Sequence, residues 1–139
     1  MNIELTTTPL VLTTGIYDLL KVQIKKKKLS RSNEEKLELE LKNAKQVLNK
    51  DLPSDVVTIN TAVIVKDLQS GEEIEQQFVS PQKARRKNKT TSILSAIGVT
   101  TLGYSTGSVV QWELPEGLKF YQIVKVSKIV PNKSVIQKR

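Results

Sequence analysis

The chain has 139 residues, 38% of them apolar, which suffices for one compact core with an appendage but not for two full domains. It contains no Cys and no His, so disulfides, thiolate nucleophiles, imidazole bases and the usual zinc sites are excluded together. Lys and Arg number 22 against 14 Asp and Glu, a net charge of +8, and the expected partner is acidic, either a protein surface or nucleic acid.

The N-terminal residues Met1 to Leu5 carry no charged leader ahead of an apolar run. No stretch approaches the ~18 consecutive apolar residues of a membrane span, so the expectation is a cytoplasmic chain with no membrane partner. The aromatics Tyr17, Phe78, Tyr104, Trp112, Phe120 and Tyr121 are dispersed, which argues against a stacking platform for single-stranded nucleic acid. A first helix is expected from Thr13 to Lys27, because Leu12, Ile16, Leu20 and Ile24 recur every four residues, with Thr13 or Thr14 as cap. The basic, aperiodic stretch Lys25 to Asn33 then forms a hairpin tip. A second helix is expected from Glu34 to Asn49, with a seam of Leu37, Leu41, Ala44 and Leu48 and a cap at Ser32 or Asn33. Two helices joined so closely pack antiparallel, each arm about 20 to 25 Å long.

Pro53 stops the helical pattern and places a linker at Asp51 to Asp55, and the period then changes from helix to strand. Val57, Ile59, Thr61, Val63 and Val65 share one face of a first strand, Asp67 to Gly71 form a turn, and Glu72 to Val79 a second strand. Pro81 to Thr90 is a basic loop carrying Lys83, Arg85, Arg86, Lys87 and Lys89. There follow a short strand at Thr91 to Leu94, two helical turns from Ala96 to Leu102 ending at Gly103, and strands at Val109 to Leu114 and Lys119 to Ile129. The basic tail from Pro131 to Arg139 is expected to fray. The fold class is α+β: a short antiparallel two-helix coiled coil over residues 1–51, followed by an antiparallel β domain with one short helix over residues 52–139.

Several separated blocks then carry a family likeness. They are Leu52-Pro53-Ser54-Asp55-Val56-Val57-Thr58-Ile59-Asn60-Thr61, Asp67 with Gly71-Glu72-Glu73, Ser92-Ile93-Leu94-Ser95-Ala96-Ile97-Gly98, Leu102-Gly103-Tyr104, Gly107 and Trp112-Glu113-Leu114-Pro115. In this order the chain resembles the C-terminal domain of the Gre transcript-cleavage factors and of the regulator of nucleoside diphosphate kinase (Rnk) type, and its short hairpin fits the latter layout. The resemblance implies an FKBP-like β domain that grips the rim of the RNA polymerase secondary channel. It would place polymerase docking on Ser95, Ala96, Ile97, Gly98, Glu72 and Glu73. Where many of the family have Ser-Pro-Ile-Gly and Leu-Leu-Gly, this chain has Ser95-Ala96-Ile97-Gly98 and Thr101-Leu102-Gly103, and loss of the proline leaves that backbone less restricted.

The Gre factors lower a long coiled coil toward the catalytic magnesium, where tip carboxylates help hold a metal and activate water. Arms of about 30 residues would reach ~45 Å, against the shorter arms expected here. The expected tip instead carries Lys26, Lys27, Lys28 and Arg31, which would repel a cation. Glu34 and Glu35 are the nearby carboxylates and are read as first-turn helix residues. The expectation is therefore a non-enzymatic polymerase-binding regulator with no metal and no cofactor. The alternatives are a nucleic-acid binder using the basic loops, which implies weak, salt-dependent phosphate contact, or a divergent transcript-cleavage factor. Prolyl isomerisation would rest on fold analogy alone. Simpler structural roles compete at each position: solvated loops for the lysine runs, a turn for Gly71, a polar strand face for Glu72 and Glu73, and core packing for Ile97 and Trp112.

Overall fold

The computed structural model describes residues 4–129; the expected frayed tail lies outside these residues. Its elements are β1 (Val11–Thr13), α1 (Thr14–Lys25), α2 (Arg31–Lys42), β2 (Lys45–Val47), β3 (Thr61–Asp67), β4 (Glu73–Val79), β5 (Thr90–Ser92), α3 (Ala96–Thr101), β6 (Val109–Leu114) and β7 (Gly117–Lys128). No helix among the described residues is long and apolar enough to cross a membrane.

Helix α1 starts as its sequence suggests, with the Thr13 hydroxyl accepting from the Ile16 amide at 3.4 Å and Ile16 and Leu20 buried. Leu12, read as part of the helical repeat, instead lies in β1, 2% exposed. The second helix is displaced from its expected span of Glu34 to Asn49. Its cap is Ser30 rather than Ser32 or Asn33, and Ser30 Oγ accepts from the Asn33 amide at 3.1 Å. It ends at Lys42, because the Asn43 side chain donates back to the Leu39 carbonyl at 3.1 Å and the Lys45 amide then turns to the Leu10 carbonyl at 2.7 Å. That bond opens a parallel pairing of β1 with β2, Val11 opposite Lys45. Leu37 and Leu41 are buried as the seam requires, at about 1.5 to 3 kcal/mol each, whereas Leu48 is left 63% exposed beyond β2. Each hairpin helix has 12 residues, giving ~18 Å per arm.

The remaining strands form a five-stranded sheet in the order β5-β4-β3-β7-β6. All pairings are antiparallel except β4 with β5, which is parallel. The sheet is thus mixed at one edge, within the α+β class expected. The first strand begins at Thr61 and not at Val57, because the Asn60 backbone is left-handed, with φ of 64°, and Thr61 Oγ1 donates to the Thr58 carbonyl at 2.6 Å. Val57 is still fully buried; its amide and carbonyl pair with Tyr104 and Gly103 at 2.9 and 3.0 Å. Strand β6 covers the span its alternation predicts.

Among the described residues, one apolar cluster joins the hairpin to the sheet. Leu10, Leu12, Leu20, Leu37 and Leu41 pack with Val63, Phe78, Ile93, Val110, Trp112 and Ile123. Gly103, at φ of +88°, lets the N-terminal strand approach: a Cβ there would stand 2.8 Å from Leu12 Cδ2 and 3.0 Å from Leu10 Cβ.

Candidate functional site

The tight turn at Ser92 to Gly98 is built by short-range side-chain bonds. Ser92 Oγ accepts from the Leu94 amide at 3.0 Å, and Ser95 Oγ caps α3 by accepting from the Gly98 amide at 3.2 Å. Gly98 is there because α3 lies directly on the chain behind it. A Cβ at Gly98 would come within 2.7 Å of the Ile93 carbonyl carbon and closer still to its oxygen. The hydroxyls of Thr100 and Thr101 fold back onto the Ala96 and Ile97 carbonyls at 2.7 and 2.8 Å, so α3 shows an apolar face despite its composition.

That face borders a groove of about 310 Å³ lined by Ser95, Ala96, Ile97, Thr100, Trp112, Leu114 and Tyr121. Ile97 is half-buried and Ala96 exposed, so the groove offers an apolar floor with an accessible rim. The expected docking residues Ser95, Ala96 and Ile97 therefore converge, while Gly98 is buried beneath them as a packing requirement.

Glu72 and Glu73 do not line this groove. Both are exposed at the start of β4, after a turn that Asp67 organises by accepting from the Gln69 and Ser70 amides at 2.8 and 3.2 Å. Burial alone would raise the Asp67 carboxyl, but those amides and Lys119, 3.5 Å away, together hold it below the usual carboxylate value. Asp67 pairs across the sheet with Tyr121, so the glutamate turn and the groove meet at that residue. Burial, and next the Asp67 charge, raise the Tyr121 hydroxyl, with Lys119 opposing.

The hairpin tip is shorter than the sequence suggests, since Arg31 already belongs to α2. Lys26, Lys27, Lys28 and Arg31 are all exposed. Two of the four are engaged: Lys27 with Glu34 at 2.9 Å and Arg31 with Glu35 at 3.1 Å. The Glu34 hydrogen bond, followed by its charge, raises the Lys27 ammonium above its ordinary value. The two carboxylates nearest the tip are thus each paired with one of these cations. In the other basic loop, the Arg85 guanidinium donates to the Gln82 and Ala84 carbonyls at 2.9 and 2.8 Å. Lys83, Lys87 and Lys89 stay exposed, without an ion pair among the described residues.

The reading from sequence missed the polar face of α2. Asn33 Nδ2 donates to the Glu113 carbonyl at 2.8 Å and Asn33 Oδ1 accepts from the Glu113 amide at 2.9 Å. Lys36 Nζ lies 2.5 Å from Glu40 Oε2 and 5.5 and 5.7 Å from the centres of the Tyr104 and Trp112 rings. The Tyr104 hydroxyl also donates to Glu40, and burial, reinforced by that carboxylate, pushes the phenol far above its ordinary range. The available signal was spacing: Asn33, Lys36 and Glu40 share the helix face of Leu37 and Leu41.

Comparison with known proteins agrees with this architecture. The family model described as the C-terminal part of the GreA/GreB transcription elongation factors matches residues 52–128. Transcription elongation factor GreA of Chloroherpeton thalassium is 37% identical over 90 residues, 65% of this chain and 57% of that protein. GreA of Clostridium beijerinckii is 35% identical over 92 residues, 66% of this chain and 58% of that one. The chain thus spans less than two thirds of the length of these relatives. A solved structure of a prokaryotic GreA/GreB elongation factor from Nitrosomonas europaea superposes with a TM-score of 0.60 at 27% identity, covering 87% of this chain and 99% of that chain.

These relatives are named GreA and not Rnk. They overturn the expectation of a non-enzymatic regulator, because GreA belongs to the transcript-cleavage factors that the sequence resembles. With the family model spanning more than half its length and the fold matched, the chain belongs to the GreA/GreB family of transcription elongation factors.

Proposed function

We propose that the chain is a cytoplasmic elongation factor that binds RNA polymerase at the secondary-channel rim and promotes cleavage of the transcript. The groove at Ser95, Ala96 and Ile97 carries this reading: a half-buried isoleucine over an apolar floor, with the exposed Glu72 and Glu73 outside it on the turn before β4. An apolar groove with hydroxyl groups at its edge, Ser95 and Tyr121 among them, suits a protein partner. Residues 52–139 supply the grip, and the hairpin within residues 1–51 supplies the element that faces the channel.

Glu34 and Glu35 are the carboxylates that the tip can offer. The Arg31–Glu35 pair is exposed on both sides, and the Lys27–Glu34 pair on its lysine side, and solvent-exposed pairs are weak enough to yield to another anion. With arms of ~18 Å this chemistry requires the tip to sit deeper in the channel than rim docking alone would bring it; there the two freed carboxylates would help hold an ion and orient water.

The experiment is a titration against bacterial core RNA polymerase, with an Ile97→Asp variant and a GreA factor as competitor, followed by transcript cleavage in stalled elongation complexes. Saturable binding that Ile97→Asp abolishes and GreA displaces, with cleavage lost in Glu34→Gln/Glu35→Gln, is the expected result. Retention on nucleic acid with steep salt dependence and no binding to polymerase would overturn it. The exposed Lys83, Lys87 and Lys89 would then become the interaction surface.

A further inference from the structure

We infer that Asn33 is a positioning residue: its side-chain amide stands in for a neighbouring strand on the open edge of β6 and fixes the direction in which the hairpin tip points. Strand β6 is the last of the sheet, and its outward peptide groups would otherwise face water. The Asn33 amide offers a donor and an acceptor side by side. It meets the Glu113 carbonyl and amide at 2.8 and 2.9 Å, the reciprocal pair that two strands exchange at one hydrogen-bonded position.

The other end of the same edge is closed in the same way. The Thr6 amide donates to the Val109 carbonyl at 2.9 Å, and Thr6 Oγ1 accepts from the Val109 amide at 2.7 Å. The hairpin and its lead-in are therefore mounted on β6 at two points, Val109 and Glu113.

Asn33 is two residues beyond Arg31, only 5% exposed, and so anchors α2 at its tip end. At the base the chain is held separately by the β1 and β2 pairing. Fixed at both ends, α2 does not swing on the connection that follows Lys42. An amide fits the role at Glu113, whereas a carboxylate lacks the donor and an aliphatic side chain lacks both groups.

What this positioning does for polymerase rests on the proposed function, but the positioning itself is read without polymerase. The chain has no Cys, so spin labels at Lys28→Cys and Lys125→Cys report the distance from tip to sheet by pulsed dipolar spectroscopy. The expected result is one narrow distance distribution in the parent. It broadens at least twofold in Asn33→Leu and in Asn33→Asp, while circular dichroism shows the helices retained. A broad distribution in the parent, or one unchanged in both variants, would overturn the inference. If the positioning holds and the proposed function also holds, Asn33→Leu keeps polymerase affinity within twofold while transcript cleavage falls at least tenfold. Absence of polymerase binding in the parent would count against the proposed function and leave the distance result standing.

Discussion

Gly98→Ala is the substitution with the most definite cost. The added Cβ would sit 2.7 Å from the Ile93 carbonyl carbon and 2.9 Å from its Cα, and neither backbone atom can rotate away. Relief requires α3 to lift off the chain behind it by about 1 Å, against the Val99 and Leu102 side chains that pin it, 5% and 1% exposed. Forced overpacking costs about 1 to 3 kcal/mol, and an unyielding backbone neighbour places this site near the top. Alanine returns up to ~1 kcal/mol of helix propensity, which leaves a net loss of about 2 kcal/mol. For a chain of this size that is roughly a 6 to 10 °C fall in Tm, measurable by urea or thermal unfolding followed through the single tryptophan, Trp112. On the proposed docking at this groove, polymerase affinity should fall as well, because Ser95 and Ile97 move with α3. A variant that melts at or above the parent temperature would refute the packing argument for this glycine.

Other outcomes follow from the same contacts. Leu12→Ala should cost about 2 to 5 kcal/mol in urea unfolding, since Leu12 is buried against the sheet's own core; a cost below about 1 kcal/mol would mean that the N-terminal strand is not part of that core. The Tyr104 hydroxyl has a raised folded-state pKa, so its contribution to stability is intact below the free phenol value of about 10 and declines as pH rises beyond it. Tyr104→Phe should flatten that alkaline decline, and equal slopes in the two proteins would count against the Glu40 bond. Asp67 has a lowered folded-state pKa, so its contribution is present above the ordinary carboxylate value of about 4 and fades as pH falls through the folded value. Asp67→Asn should therefore weaken the acid dependence of stability.

Where a signal was local, the chain displayed it plainly. The four-residue recurrence of Ile16, Leu20 and Ile24 marks α1, and the alternation of Val110, Trp112 and Leu114 marks β6 to the residue. The family blocks pointed to Ser95 to Ile97, three of the residues that line the groove. The misplacements share a cause in partners distant in sequence. Helix α2 stops before Leu48 because the Leu10 carbonyl and β1 claim the chain at Lys45, and nothing near Leu48 announces that. Asn33 resembles an ordinary cap candidate until Glu113, 80 residues away, is brought beside it. Nothing near Lys36 in sequence signals that its ammonium lies over the rings of Tyr104 and Trp112.

The parallel clasp of β1 and β2 makes the hairpin a closed excursion: the chain leaves the base at Thr13 and returns to it at Lys45, with the two ends stitched together and β1 bonded to Gly103 through the Val11 amide. What happens at the far end is topologically independent of that seal. Paired heptads inserted between Lys26 and Ser30 would lengthen each arm by about 10 Å without altering one residue of the base or the sheet. Reach is accordingly a dimension this architecture can dial by insertion alone, with the foundation conserved and the span open to redesign.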